Sequence, residues 1–326
     1  MRHIFNFLFL LSISTGLSQF APAAGQVGST AIYKDSSVFI NWANDVAQFN
    51  PGPEDISDPQ SIVASFGVPQ NALNQAEGNS SDVVSLGDNG SITLSFEFPI
   101  INAPGPDFAV FENSFSDTYL EFAFVEVSTN GVDFVRFPAT SNIPILVQTG
   151  SFGNTDPTLI NNLAGKYRQG YGTPFDLEEL IDSTSLNLDS ITYIKIVDVV
   201  GSINPSYSHF DQFDNVINDP FPTAFPSSGF DLDAIGVIYQ NNPLKLPKTK
   251  ITNFNVYPNP AVNQLTITTG ESNLNYHVFD IQGRQVMTGI VNSTKAINVQ
   301  PLLSGTYFLR LSGKEFTEVK KIIVLD

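Results

Sequence analysis

Carboxylates are the groups this sequence offers for chemistry. Residues 19–243 carry 27 Asp and Glu against five cations, Lys34, Arg136, Lys166, Arg168 and Lys195, a net −22. Side chains two apart on a strand share a face. In that period Glu112 follows Phe108 and Val110, Asp198 follows Ile194 and Ile196, and Glu126 follows Phe122 and Phe124. Asp231 and Asp233 share a phase with Ile235 and Val237. Acids thus stand at the ends of apolar faces, where an unpaired buried carboxylate is strongly unfavourable. Five cations cannot neutralise them all. Calcium can, because it takes about six to eight oxygen ligands from carboxylates, carbonyls and Asn. The expected structural Ca2+ ligands are Asp231 and Asp233, then Asp107, Glu112 and Asn113. The alternative is that these strand ends emerge into water and the acids are hydrated.

Other chemistry is sparse. The oxygen-rich run Asp211 to Asp219 lacks the alternating acids, glycine and final glutamate of an EF-hand loop and reads as a polar loop. Of three histidines, His3 and His277 lie in the terminal segments, which leaves His209 for the acidic region. A zinc site cannot be built from one histidine. No G-x-S-x-G elbow and no phosphate-binding glycine loop is present. The absence of cysteine excludes disulfides, thiolate metal sites and a cysteine nucleophile. Paired carboxylates could hydrolyse a glycosidic bond, but acids this abundant do not single out a pair. An enzyme is therefore not expected. For ligand contact the loop residues Tyr167, Arg168, Tyr171 and Tyr207 stand out, since aromatic faces stack on sugars while polar edges hydrogen-bond. The negative charge repels nucleic acid and anionic membranes.

The elements that must position these groups are mostly strands. Ser91–Phe98, Asp107–Asn113, Tyr193–Val200 and Gly229–Tyr239 have strand composition. Phe122–Ser128 and Val132–Phe137 flank Asn130-Gly131, a hairpin signal. Asp58-Pro59, Asp156-Pro157 and Thr173-Pro174 predict the starts of short helices. The fold class expected is all-β: a jelly-roll-like β-sandwich with short helices in its loops over 19–243, then a small immunoglobulin-like β-sandwich over 251–326. The stretch 142–190 reads as an insertion. Between the two domains, residues 244–250 form a Pro- and Lys-rich linker open to proteolysis. At the amino end Arg2 and His3 precede the apolar run Ile4–Leu11 and small residues, the pattern of a signal peptide over 1–18. The run is too short to span a bilayer, and no transmembrane segment is expected.

The tail carries Val256-Tyr257-Pro258-Asn259-Pro260, then Val278–Val286, Leu303–Leu311 and Lys320–Val324 in order. This succession resembles the type A C-terminal sorting domain of the type IX secretion system of Bacteroidetes. The resemblance implies passage through the periplasm to the outer cell surface or beyond, the type IX machinery as partner, and removal of the tail near 243–252. A second resemblance rests on Val125–Phe134 and Gly229–Ile235, which are similar to galactose-binding-like and discoidin-type jelly rolls. It implies recognition of carbohydrate, with calcium in some members. Leu163–Phe175 is similar to a stretch of uncharacterised bacterial secreted proteins. Three functions follow as expectations: a noncatalytic surface protein that binds glycan or another extracellular ligand, a structural or adhesive surface protein, or a carboxylate-based glycan hydrolase.

Overall fold

The computed structural model describes residues 20–241, 254–270, 272–313 and 317–326. The expected signal peptide and the 244–250 linker lie outside them. The chain divides into two compact units, Met1–Asn242 and Pro243–Asp326.

The regular secondary structure of the first unit is almost entirely strand. Its elements are β1 Ile32–Tyr33, β2 Asn41–Trp42, β3 Asp45–Asn50, β4 Val84–Ser85, β5 Ser91–Ile100, β6 Phe108–Glu112, β7 Ala123–Ser128 and β8 Val135–Arg136. They continue with β9 Thr140–Ser141, β10 Ile160–Asn161, β11 Tyr171–Phe175, β12 Ile191–Asp198 and β13 Asp231–Val237. One sheet has the order β1-β11-β6-β13-β2 with β4 also on β13; the other has β3-β5-β12-β7-β8. Successive long strands alternate between sheets: β5 to β6 to β7, and β11 to β12 to β13. The inner faces meet in one core, with Ile92, Leu94, Val125, Ile194 and Ile196 opposite Phe108, Val110, Leu232, Ile235 and Val237.

Both outer faces are covered as well. Phe122, Phe124, Val197 and Val199 pack with Ile143, Ile160, Leu163 and Ile217. The 142–190 stretch therefore shields the outer side of β7 and β12. Across the molecule Ala109, Phe111 and Ala234 pack with Phe39 and Trp42. Burial on both faces explains why β6, β7 and β13 are buried at every position.

Two local predictions are corrected. Asp156 does cap a 3-10 turn, Pro157–Leu159, by accepting from the Thr158 N–H at 2.9 Å. Thr173-Pro174, however, lies inside β11. There β1 pairs only with Tyr171 and Gly172, so the missing N–H of Pro174 falls where the strand edge is free. Asp58-Pro59 sits in turns, and a short helix starts instead at Leu177, capped by Asp176. The second correction is in β13. Leu232 pairs with Glu112 and Ala234 with Phe111, which leaves Asp233 as the extra residue of a bulge. Leu232, Ile235 and Val237 consequently face the main core while Ala234 joins the opposite cluster. Asp231 and Asp233 do not share a face with Ile235 and Val237.

The second unit is a small antiparallel sandwich. Its strands are β14 Asn255–Tyr257, β15 Gln264–Thr268, β16 Leu274–Phe279, β17 Gln285–Val291, β18 Thr294–Asn298, β19 Gly305–Ser312 and β20 Thr317–Val324. They form sheets β14-β15-β18 and β17-β16-β19-β20. Period-2 alternation buries Leu265 and Ile267, Leu274, Tyr276 and Val278, and Tyr307, Leu309 and Leu311 in one core. The tail motifs are joints of this sandwich. Asn259 donates to the Lys321 carbonyl at 2.9 Å and accepts from the Ile323 N–H at 2.8 Å, pinning the Pro-Asn-Pro entry to β20. Asp280 accepts from the Gln282 and Arg284 N–H groups, each at 2.9 Å, around Gly283 at φ +78°. The Tyr307 hydroxyl donates to the Leu303 carbonyl at 2.8 Å.

Candidate functional site

The inner faces of the first unit end in acid. Glu112 closes β6 in phase with Phe108 and Val110, and Asp198 closes β12 in phase with Ile194 and Ile196. Glu121 stands two residues ahead of Ala123, which faces the same core. Antiparallel pairing brings the start of β13, with Asp231, to the Glu112 end of β6. Asp219 reaches in from a loop and accepts from the Phe122 N–H at 2.8 Å. Asp198 accepts from Asn89 N–H at 2.9 Å and Phe230 N–H at 2.8 Å, so it ties both sheets together at this end.

These groups are incompletely satisfied. Glu112 takes the Ser114 N–H on Oε2 at 2.7 Å, but its buried Oε1 has no partner among the described residues. Asp219 Oδ1 is likewise buried and unpartnered there. Glu121 is 7% exposed, and no hydrogen bond or ion pair reaches its carboxylate among the described residues. Asp231 is better held, by the Ser85 hydroxyl and by Asn113 Nδ2 at 2.8 Å. Burial pushes Glu112, Glu121, Asp198 and Asp219 well above the carboxylate range, and their mutual repulsion adds to it. Burial lifts Asp231 to about 7.

Over this layer opens a pocket of ≈ 240 Å³. Glu121, Asp231 and Asn113 line it from the acidic side, and Phe66, Phe115, Tyr119, Phe152 and Phe225 from the loops. The rings run in a chain: Phe115 to Tyr119 at 5.0 Å, Tyr119 to Phe152 at 6.3 Å, and Phe152 to Phe225 at 5.8 Å. Phe115 is 66% exposed and Phe152 71%. Adjoining exposed aromatics over a concave polar site are the kind of surface that marks ligand contact.

The expected sites are distributed otherwise. Asp107 opens β6 at the end opposite Glu112, about 16 Å away by the strand rise. It accepts from Ala103 N–H at 2.9 Å and Leu177 N–H at 2.8 Å. Asp233 accepts from Glu77 N–H at 3.1 Å and Gly78 N–H at 2.9 Å. The five expected calcium ligands therefore do not converge on one ion. Among the described residues no three His, Asp or Glu side chains are arranged to hold a metal. Glu112, Asn113 and Asp231 do come together, with Glu121 rather than Asp233 or Asp107 as the further acid.

The expected ligand tyrosines also separate. Tyr167 is 1% exposed, its hydroxyl bound to Thr30 Oγ1 at 2.8 Å, so its faces are closed to a ligand. Arg168 pairs with Asp117 at 2.9 Å and covers the Tyr171 ring at 4.6 Å, while Tyr171 packs on Tyr33. Tyr207 lies in the turn that follows Asn204. None of the four lines the aromatic pocket. His209 is structural: Nδ1 accepts from the Val200 N–H at 3.1 Å, and burial lowers its pKa. Asp211 likewise serves its own loop, accepting from Ser141, Phe213 and Asn215 N–H groups at 2.9 Å each. Glu126 faces outward and is held by Arg136 at 2.7 Å and Lys195 at 2.8 Å.

Sequence reasoning missed Glu121 and the phenylalanine loops. The signal for Glu121 was the period of Ala123, Val125 and Val127 extended one step back. Nothing local joined Phe66, Phe115, Phe152 and Phe225.

The second unit is settled by comparison with known families. Residues 255–325 match the secretion system C-terminal sorting domain. The chain therefore carries the type IX export tail, and its destination is the cell surface or the surroundings. Among the described residues no helix is long and apolar enough to cross a membrane. No curated protein matches the chain. Similar solved structures include the BSP domain of a biofilm-associated protein, at 12% identity and TM-score 0.23, covering 74% of this chain and 49% of that one. A β-D-glucuronidase of Dictyoglomus thermophilum has 14% identity and TM-score 0.21, covering 89% and 44%. PorZ, a surface component of the type IX secretion system of Porphyromonas gingivalis, has 13% identity and TM-score 0.21, covering 87% and 52%. The chain spans about half the length of these proteins, and likenesses this slight carry no functional argument.

The sorting domain makes one prediction immediate. A chain that ends before residue 255 is expected to stay in the periplasm, while the full chain reaches the surface or medium. Protease shaving of intact cells and immunoblotting of culture fluid read this out. Surface delivery of the truncated chain would remove the tail's role.

Proposed function

We propose that the first unit is a noncatalytic binding domain, delivered by the type IX tail, which holds an extracellular ligand in the aromatic pocket, with carbohydrate as the ligand class. The observation that carries this reading is the chain of rings from Phe115 to Phe225, two of them largely exposed, over an acidic floor. Aromatic faces take the C–H faces of a sugar, and carboxylates or Asn113 take its polar edge. One pocket of this size binds weakly, and display of many copies on a cell raises the effective affinity.

Isothermal titration of the exported chain against a glycan panel tests the reading. Binding is expected, and Phe152→Ala is expected to weaken it on the order of tenfold, the loss of one ring contact. No binding at millimolar ligand would favour the structural or adhesive reading. Release of reducing ends from any glycan would favour a hydrolase, for which Glu121 and Asp231 in one pocket are the candidate pair.

A further inference from the structure

We propose that the aromatic pocket selects a ligand bearing a compact organic ammonium group, such as the amine of an amino sugar or a methylated ammonium. The inference rests on the reading of this pocket as the binding site and narrows its ligand.

Wall and floor favour the same sign. The π-faces of Phe66, Phe115, Tyr119, Phe152 and Phe225 carry negative potential and attract cations. Glu121 and Asp231 line the floor, and among the described residues no Lys, Arg or His lines the pocket. A neutral sugar would leave the cation-attracting ring faces unused and could not draw the floor carboxyls into their ionised form. Glu121 is the independent sign of an absent partner, since it is 7% exposed, borders the pocket and has no hydrogen bond from a described residue. A buried carboxylate without a partner is what an ammonium N–H or a methylated ammonium charge would complete. A bare divalent ion fits less well. It needs several oxygens close around it, whereas no three acidic side chains converge here among the described residues. An organic cation spreads its charge over a larger body and uses the rings as well.

The surrounding charges support the same ligand. The charges that act on Glu121 come from Asp231, Glu112, Asp219 and Asp198, with the Tyr119 phenol alongside, and burial raises all of them. A cation entering this cluster favours the ionised carboxylates, so a proton leaves as it binds. Affinity should therefore rise with pH across the neutral range.

Calorimetric titration of the exported chain with tetramethylammonium, glucosamine, N-acetylglucosamine, glucose and calcium decides the matter. Expected is binding of at least one of the two cationic organic probes, at least tenfold tighter than either neutral sugar, with proton release seen as a dependence on buffer ionisation heat. Whether tetramethylammonium or glucosamine binds better identifies the source of the ammonium. Glu121→Gln and Phe152→Ala should each weaken binding by tenfold or more, and Phe152 is exposed enough that its variant keeps the fold. Neutral sugars binding as tightly as glucosamine, with sensitivity to Phe152→Ala, would overturn the ammonium proposal and keep the pocket. Calcium alone binding, with loss in Glu121→Gln, would overturn it in favour of a metal. No binding of any probe would overturn both this proposal and the pocket reading.

Discussion

At pH 8 the Glu121→Gln chain should melt several degrees above the parent, and at pH 4.5 the two should melt together. Glu121 is enclosed at the end of the core, and burial first, then Asp231, Glu112, Asp219 and Asp198, drive its pKa upward. A carboxyl whose folded value lies above its unfolded value stabilises the fold fully below the unfolded value, near ~4.3 for Glu. That stability is lost as pH rises through the folded value. Glutamine keeps the shape and stays neutral, so it retains what Glu121 loses. Each pH unit between the two values removes about 1.4 kcal/mol per group. One kilocalorie moves Tm by about 2–4 °C in a domain of this size. The parent should show the same sign over a wider set, its first unit losing stability between mildly acidic and neutral pH. Asp231 titrates at about 7, and Asp88 and Asp233 at about 6, each raised chiefly by burial. Glu126 and Asp211, held below their ordinary values, act only at lower pH and leave this window alone. Scanning calorimetry of parent and variant at the two pH values is the measurement. A Glu121→Gln chain that melts lower than the parent at pH 8 would show an ionised, well-partnered carboxylate and sink the prediction.

Gly165→Ala is expected to be among the most damaging single methyl additions in the first unit. A Cβ there would stand 1.8 Å from the Glu121 carbonyl oxygen and 3.1 Å from the Phe230 ring. The obstacle is backbone, so no rotamer relieves it, and φ +83° adds strain for any L side chain. Moving the 164–165 segment away would break the paired hydrogen bonds between Ala123 and Ala164, at 3.2 and 2.9 Å, which seat β7 beside the acidic layer. A loss of more than ~3 kcal/mol is expected, as for other severe packing faults. Gly25→Ala is the control: its φ is +82°, but nothing lies within 4 Å of the added carbon. It should lose only ~1–2 kcal/mol. Urea unfolding of both variants separates crowding from dihedral strain, and equal midpoints would refute the close approach at Gly165.

The tail was legible because its signals are short-range. Asp280 with Gly283 and Arg284 forms one turn, and Tyr307 caps its own preceding loop; Asn259 is the exception, its joint to β20 lying 62 and 64 positions away. Alternation along each strand separated core from surface without knowledge of partners. In the first unit the same period placed Glu112 and Asp198 on the inner faces correctly. It failed at Asp233, because a bulge shifts the phase by one residue and is fixed by the pairing of β13 with β6. It failed at Glu121 because the phase was taken from Phe122 and Phe124, which face the outer cluster. Tyr167 looked like a surface tyrosine and is instead buried against Thr30, a residue 137 positions away in sequence.

The sequence by itself therefore determined the all-β class, the acidity of the first unit and the export tail. Each is read from composition, strand period or short motifs. Tertiary structure alone decided which carboxylates meet and what covers them. Strand order carries the ends of β6, β7, β12 and β13 to one mouth of the sandwich, and four separate loops bring Phe66, Phe115, Phe152 and Phe225 over it. Long-range sheet pairing fixes that convergence, and no local period encodes it.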